Sequence, residues 1–522
     1  MQATLPGRLF PLMVGFMCKK PIKAVVVGAG AAGMSASLFL AKAGREVTLL
    51  EAGQAIAPLL RGFNRAGLQF DTGFHHAGMM NNKGILKRYL QVLGIWEKLS
   101  LSPYRVESHQ LFRFIEKGFS EDYCLPQGVL KVSQFLSRHW PEHKLKIDEF
   151  YQSVDQEYQY SPFTSPEVSN FSSFSLPPVY KTEDYTGIKH LPERLKSLLL
   201  YSSLYYGVEP SQTTFDNFSL ICRSCIEGVH EIKGGGRALV RAFEQELQNK
   251  QVEIRANSAV TGINLNSEGG VESVVLGNGE LVFCDECVFT GHPAQLRSLL
   301  PPKALRLSNS THLNSLKDTP HIFLLFASTR QNFVSGRHML ICPNDKLKAT
   351  FEPAQFAQSW ISVSCSQPNE QGIYPIVITT ILPNELADEL KACYAKKLNT
   401  QPKHMVSGNK SYLELKDMLT QKLLHKVKQH VPELFDIEVH CSATNTTMQN
   451  WVYGSTGSVY GAQHSVSQLP VSPRTKIPGL VLAGQGIILP GLLGTIISAA
   501  VATGLLAGFD NFFEELKWAN AG

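Results

Sequence analysis

Ile22-Lys23-Ala24-Val25-Val26-Val27-Gly28-Ala29-Gly30-Ala31-Ala32-Gly33, followed by Val47-Thr48-Leu49-Leu50-Glu51, decides how this chain folds. The apolar run Ile22–Val27 predicts a buried strand, the small residues Ala31–Ala43 a helix, and Val47–Glu51 a second strand. Gly28 permits a tight turn, Gly30 lets backbone approach a pyrophosphate, and Gly33 lets the helix pack closely on the strand. The N–H groups at the start of that helix, around Ala31 and Ala32, then face the phosphates with the positive end of the helix dipole. Glu51, with Ala52 beside it, ends the second strand and accepts hydrogen bonds from an unphosphorylated ribose. These residues predict an α/β, Rossmann-type dinucleotide-binding domain, and NAD and FAD both fit the fingerprint.

The rest of the chain must be compatible with that start. It has 522 residues, 43% hydrophobic and 18% charged, with a net charge of +5. This is globular composition with room for two or three cores, too weakly basic to make nucleic acid an expected partner. Ten cysteines in so long a chain do not make a disulfide scaffold and point to a reducing, cytoplasmic setting. Two CxxC pairs, Cys222/Cys225 and Cys284/Cys287, stand much farther apart than the about 15–20 residues of a zinc ribbon, so no metal site is expected. Arg8 and the apolar Leu9–Cys18 resemble a short signal peptide but lack a small-x-small cleavage site; Met17 reads as the natural start, with residues 1–16 dispensable. Leu480–Gly508 holds no charged residue, yet its six glycines and Pro490 argue against a membrane span.

Strand and helix patterns alternate in blocks. Helix Ala238–Gln248 and strands Val252–Ile254, Ala259–Leu265, Val271–Leu276 and Leu281–Phe289 continue the α/β style. A second β-rich block follows at His321–Ser328, His338–Cys342, Ser359–Cys365 and Tyr374–Leu382. Helices are expected at Asn384–Ala395 and Tyr412–His430, the second with Leu413, Leu419, Leu423, Leu424, Val427 and Val431 on one face. The aromatic, proline-punctuated stretch Tyr151–Tyr185 reads either as a lid or channel wall or as a solvated excursion. The division that results is a nucleotide domain from residues 20–100, 226–300 and 441–522, interwoven with an α+β substrate domain from residues 101–225 and 301–440.

Further motifs separate FAD from NAD. Glu51, then Gly67-Leu68-Gln69-Phe70-Asp71-Thr72-Gly73-Phe74-His75-His76, resembles the FAD-binding amine oxidase and phytoene desaturase superfamily, most closely its retinol saturase and carotenoid isomerase branch. Ile477–Gln485, Pro490–Gly494 and Tyr460-Gly461-Ala462-Gln463-His464 resemble the ending of that branch, and Gly234-Gly235 with Leu239, Val260 and Ile263 its central motif. The resemblance implies that Gly484, Gln485 and Gly486 lie beside the flavin and phosphates and that Val260 contacts the adenine side through its backbone. It also implies that Asp71, Thr72, Gly73 and the two histidines lie near the isoalloxazine. A glycine-rich turn at Gly491, Leu492 and Gly494 would aim a helix N-terminus at the flavin, with Pro490 in the first helical turn. One departure stands out: Ala57-Pro58 replaces the family's usual Gly-Gly, leaving Arg61 as a bidentate phosphate donor. No cysteine stands near Gly454–Gly457, so FAD is expected to be held non-covalently.

The implied activity is hydrogen transfer at carbon–carbon bonds of a hydrophobic polyene or isoprenoid. His75 and His76 are candidates to move the accompanying proton, against the plainer role of packing on the ring. Tyr460 and His464 form a second candidate pair, with Tyr460 as pocket wall the alternative. No second GxGxxG appears, which leaves a separate electron donor or acceptor open. Lysines between Lys391 and Lys428 read as a solvated face, or as a basic rim for peripheral membrane contact. Two other functions remain compatible with the sequence: redox-neutral double-bond isomerisation by reduced FAD, and a non-catalytic lipid escort of the Rab dissociation inhibitor type.

Overall fold

A computed structural model describes residues 21–116, 118–161, 163–166, 181–182, 187–398, 410–454 and 456–519. The Met17 start and most of Tyr151–Tyr185 lie outside them. β1 (Lys23–Val27), α1 (Ala31–Lys42) and β2 (Glu46–Leu50) form the expected βαβ start. β1 and β2 join a five-stranded parallel sheet ordered Leu480–Leu482, Glu286–Phe289, β1, β2, Glu253–Arg255. Val27 is opposite both Leu50 and Phe289, and Phe289 opposite Leu482, so these carboxyl ends meet at one rim. Such a rim, where connections leave β1 in both directions, is where α/β sheets bind ligands. The run Leu281–Phe289 is two strands: Leu281–Phe283 closes a three-stranded antiparallel sheet, and Glu286–Phe289 enters the parallel one. The turn between them is fixed to β1, because Asp285 N–H donates to the Lys23 carbonyl and Lys23 N–H to the Asp285 carboxylate.

A seven-stranded sheet lies beside it, ordered Glu438–Ala443, His321–Thr329, Tyr374–Leu382, Ile361–Cys365, His338–Cys342, Gln110–Glu116, Phe119–Leu125. Its pairs are antiparallel except His338–Cys342 with Gln110–Glu116. Side chains alternate across it. Phe323, Leu325, Met339, Ile341, Val363, Ile376 and Ile378 form one dry core with Tyr412, Leu419, Leu423 and Val427 of helix Lys410–His430. Leu413, expected on that face, is 47% exposed, because Tyr412 takes the buried position one residue earlier. The opposite sheet face carries Leu324, His338, Leu340, Ser362 and Thr379, which line a cavity. Helices Val129–His139, Lys144–Tyr160, Glu193–Leu200 and Phe215–Ile226 pack a further core under the Gln110–Leu125 hairpin. The first ten residues of the stretch read as a loop, 151–160, are therefore helix, with Tyr151, Val154 and Tyr158 buried.

Both sheets draw on distant parts of the chain. The boundary expected at 440/441 falls inside strand Glu438–Ala443, which pairs with His321–Thr329, so the second sheet extends past it. The apolar Leu480–Gly508 divides into strand Leu480–Leu482 and helix Gly491–Ala507, which lies along α1. Among the described residues no helix is long and apolar enough to cross a membrane. Cys222 packs in the helical core and Cys284 and Cys287 beneath the parallel sheet, so the two CxxC pairs are in different cores.

The burial pattern of helix Lys410–His430 is testable. Leu419→Ala, which empties a fully buried site, should lower unfolding stability by about 2–5 kcal/mol. Leu413→Ala should change it by less than about 0.5 kcal/mol. Urea denaturation of the two variants checks the assignment, and equal losses would contradict it.

Candidate functional site

The glycine loop after β1 is shaped by close approach. A Cβ at Gly33 would lie 1.8 Å from the Gly28 carbonyl oxygen, and one at Gly28 2.6 Å from Thr290 Oγ1. Thr290 Oγ1 donates to the carbonyls of Val27 (2.8 Å) and Gly28 (3.0 Å), locking the turn from the neighbouring strand. Nothing in the local sequence marked Thr290; only the parallel pairing brings it there. Glu51 accepts from Ala29 N–H at 2.9 Å through one oxygen and from Gly53 N–H at 2.8 Å through the other. Each carboxylate oxygen keeps a second lone pair for a ribose hydroxyl. At Ala57, the position of the missing glycine, the backbone is left-handed with φ 52°. Its N–H donates to the Ala29 carbonyl at 2.9 Å, so the turn survives despite the strain.

A second glycine-rich turn approaches from the C-terminal segment. Gly484, at φ 116°, donates its N–H to Ser498 Oγ at 3.0 Å, which ties the end of strand Leu480–Leu482 to helix Gly491–Ala507. Pro490 is the N-cap in extended conformation, one position earlier than expected. Neither α1 nor helix Gly491–Ala507 has a side-chain cap or an acid in its first turn. Both therefore leave N–H groups for a ligand. His464 lies behind the turn: its Nε2 is 2.6 Å from the Gln485 carbonyl oxygen, and its own carbonyl accepts from the Tyr206 hydroxyl. That places His464 as a support for Gln485, outside the cavity lining.

These elements surround one cavity of about 830 Å³. Gly28, Gly30, Ala31, Ala32, Glu51 and Ala52 line its nucleotide end with Val260. Thr72, Gly73, His75 and His76 line it farther on, with Tyr460, Gly484, Gln485, Gly486, Gly491, Leu492 and Gly494 opposite. A Cβ built at Gly30 or at Gly491 would meet no atom of the described residues within 4 Å. The cradle at both helix N-termini is thus open where a bound group would sit, and its donors suit the pyrophosphate and flavin of FAD.

Three expected contacts lie elsewhere. The Arg61 guanidinium stacks on Trp451, 5.2 Å from its ring centroid, and does not line the cavity. Asp71 is buried behind it, accepting from Gly236 N–H at 3.0 Å and so holding the start of helix Gly235–Asn249. Burial, reinforced by the charge of Glu231, pushes the Asp71 carboxyl up to about 7. Gly33 acts through packing alone.

At the far end the cavity meets the second sheet. Burial pushes His75 down to about 4, and burial with the neighbouring His75 and His109 pushes His76 down to about 3, so both are neutral near pH 7. His76 Nδ1 is buried without a hydrogen-bond partner among the described residues. Tyr205, His338 and Ser362 line this end too. The sequence reading missed them, although the alternation in Ile361-Ser362-Val363-Ser364-Cys365 signals a sheet face too polar to be sealed core. Across the whole lining, among the described residues, Glu51 is the single acid and there is no lysine or arginine.

Two predictions follow from this geometry. Gly30→Val should leave apo-protein melting unchanged while abolishing the flavin absorbance of the purified protein, whereas Gly33→Val should prevent folding. Retention of flavin by Gly30→Val would remove the loop from the site. Asp71 gives a pH signature. A carboxyl raised from 3.8 to about 7 by folding contributes stability that is present below the unfolded value and lost as pH rises through the folded one. Asp71→Asn should therefore gain stability relative to the parent by about 2–3 kcal/mol between pH 5 and pH 8. Denaturation of both proteins at the two pH values measures it.

Known proteins place this geometry in a family. Rat all-trans-retinol 13,14-reductase is 22% identical to the chain, covering 92% of it and 85% of the relative. The 4,4'-diapophytoene desaturase of Staphylococcus aureus strain MRSA252 is also 22% identical, over 54% of this chain and 57% of its own. Among solved structures, an oxidoreductase from Methanosarcina mazei superposes with a TM-score of 0.65 at 15% identity, covering 92% of this chain and 99% of the other. Wild-type putrescine oxidase bound to putrescine gives 0.60 at 14% identity, covering 94% and 99%. At those identities the solved structures show a shared fold. The family model described as flavin containing amine oxidoreductase matches residues 31–507, and the chain belongs to that family of FAD-dependent oxidoreductases.

Proposed function

We propose that the protein adds or removes hydrogen at carbon–carbon bonds of an uncharged polyene or isoprenoid. The observation that carries this reading is the lack of charge, among the described residues, in the cavity beyond its nucleotide end. An ammonium or carboxylate substrate taken out of water without a counter-charge costs several kcal/mol. Leu324, Leu340, Phe351 and Trp360 line the substrate end instead, where a hydrocarbon chain gains by burial. The names of the retinol reductase and diapophytoene desaturase relatives agree with a polyene. FAD, when bound, supplies or accepts a hydride at a substrate carbon. The chain itself orients both molecules, excludes water with its apolar wall, and keeps its buried histidines neutral. A separate electron donor or acceptor, and contact with a membrane surface from which an insoluble substrate is drawn, belong to the same proposal.

Anaerobic spectroscopy tests it. Dithionite-reduced protein should regain its oxidised flavin bands on addition of all-trans-retinol, or the oxidised protein should bleach with 4,4'-diapophytoene. Putrescine should leave the oxidised flavin unchanged. Bleaching by putrescine with no response to either polyene would reverse the assignment.

A further inference from the structure

A set of connected polar side chains faces the cavity beside His76, with His338 and Ser362 from the second sheet and Tyr205 from the short helix Tyr201–Tyr205; the His338 and His76 ring centroids are 5.5 Å apart. His338 is at the centre of the set. Its Nδ1 lies 2.6 Å from the Tyr205 hydroxyl and 3.1 Å from Gln110 Oε1, and its Nε2 lies 2.7 Å from the Ser362 hydroxyl. Strand register fixes the arrangement. His338 is opposite Gln110, while Ser362 is opposite Leu340, which shares the His338 face of the strand.

The hydrogen-bond chemistry of this set differs from that of the other cavity histidines. Each His338 nitrogen meets a hydroxyl, which donates or accepts as required. With Nδ1 protonated, the ring donates toward Tyr205 and Gln110 Oε1 and accepts from Ser362; with Nε2 protonated, the hydroxyl roles reverse, and Gln110 Oε1, which only accepts, favours return of the proton to Nδ1. Either tautomer satisfies both nitrogens, so a proton crosses from one hydroxyl to the other with the ring neutral before and after. His292 has no such freedom: its Nε2 faces the Asp318 carboxylate at 2.9 Å and its Nδ1 accepts from Ala294 N–H, which fixes one tautomer. At His76 the partnerless Nδ1 offers nowhere to pass a proton on. Burial holds the Tyr205 hydroxyl well above its ordinary pKa and His338 well below its own, so neither rests as an ion.

We propose that Tyr205, His338 and Ser362 form a relay that moves the proton accompanying hydrogen transfer, with Tyr205 facing the substrate carbon. The inference rests on the carbon–carbon chemistry proposed above. In saturation the π bond breaks as one carbon receives a hydride, with both electrons, from reduced flavin, and the other receives the Tyr205 proton. Tyr205 takes the Nδ1 proton, Nε2 takes the Ser362 proton, and a solvent proton passed through water restores Ser362, so the proton consumed comes from bulk solvent; the ring proton then returns to Nδ1 by exchange with solvent before the next turnover. Desaturation runs the same transfers backwards, with oxidised flavin as the hydride acceptor.

The test uses FAD-loaded protein in D2O, reduced by dithionite for all-trans-retinol and oxidised for 4,4'-diapophytoene, with the deuterium label read in the saturation direction. The parent should place solvent deuterium on one face of the protonated carbon. Tyr205→Phe and His338→Gln should lower the rate about 100-fold, and their residual product should carry deuterium on both faces. Ser362→Ala should fall similarly, while Ser362→Thr keeps the parent rate within about threefold. Trp360 lines the cavity, so quenching of its fluorescence reports polyene affinity in FAD-free and FAD-loaded protein; Tyr205→Phe should leave that affinity and the flavin content unchanged. Parent-like rate and stereochemistry in Tyr205→Phe overturn the relay alone. Equal loss of affinity and rate overturns it in favour of a binding role. Parent protein that holds FAD yet exchanges hydrogen with neither polyene overturns the underlying reading, and the relay with it.

Discussion

Contact between Gly33 and the Gly28 carbonyl is the constraint from which the rest of the site follows. No side chain fits between helix and turn there, so α1 sits directly on the carboxyl end of β1. The same economy of side chain recurs in the core shared by α1 and helix Gly491–Ala507, which holds Ala36, Ala499 and Ala502, all buried. Close packing there lets two helices bring uncapped N-termini to one cavity. An extra methyl group at these contacts would move both dipole ends away from the group they serve. Thr290 adds the third side by bonding the Val27 and Gly28 carbonyls, so the loop is held before any ligand arrives.

The second sheet solves a different problem. One face is sealed against helix Lys410–His430, and the other must stay open to an apolar molecule while keeping enough polar groups for proton movement. Neutral groups meet both demands. Burial keeps His75, His76 and His338 uncharged, and Ser362, Tyr205 and Gln110 interact with His338 without introducing a full charge. A lysine or carboxylate in their place would need a buried partner. The acids that do lie nearby, Asp71 and Glu231, are turned to the protein: Asp71 to Gly236 N–H, and Glu231 to Gln367 through backbone and side chain.

What the sequence disclosed and what it hid divide along sequence distance. The glycine fingerprint, Glu51, the 484–494 turn and the strands His338–Cys342, Val271–Leu276 and Tyr374–Leu382 are local patterns, and the structure has all of them. Roles that depend on distant partners were hidden. Asp71 carries the family motif, but Gly236, from the middle of the chain, claims its carboxylate. Arg61 was read as a phosphate donor because it follows Ala57-Pro58, where the family's glycines usually stand; Trp451, distant in sequence, takes its guanidinium instead. Tyr205 and His338 come from two segments that the family motifs did not reach, and their hydrogen bond exists only through tertiary packing. The Gln110–Leu125 hairpin was invisible for a simpler reason. Its second strand, Phe119–Leu125, is largely exposed along Phe119–Asp122 and lacks an apolar alternation.

Interweaving of the two sheets follows from the same geometry. The five-stranded sheet needs strands from the beginning, middle and end of the chain, and each crossing between them exits at the rim where the cavity lies. Segments inserted at those exits fold into the second sheet and its helices, so the substrate wall is built on the loops of the cofactor domain. Tyr460 illustrates the coupling: it precedes strand Leu480–Leu482 in the chain, its N–H donates to Thr319 Oγ1 at 2.9 Å, and Thr319 leads directly into strand His321–Thr329. A shift of either sheet would move the wall against the cofactor turn. Cofactor site and substrate site are therefore one cooperative structure, and the apolar chamber between them exists only when both sheets are in place.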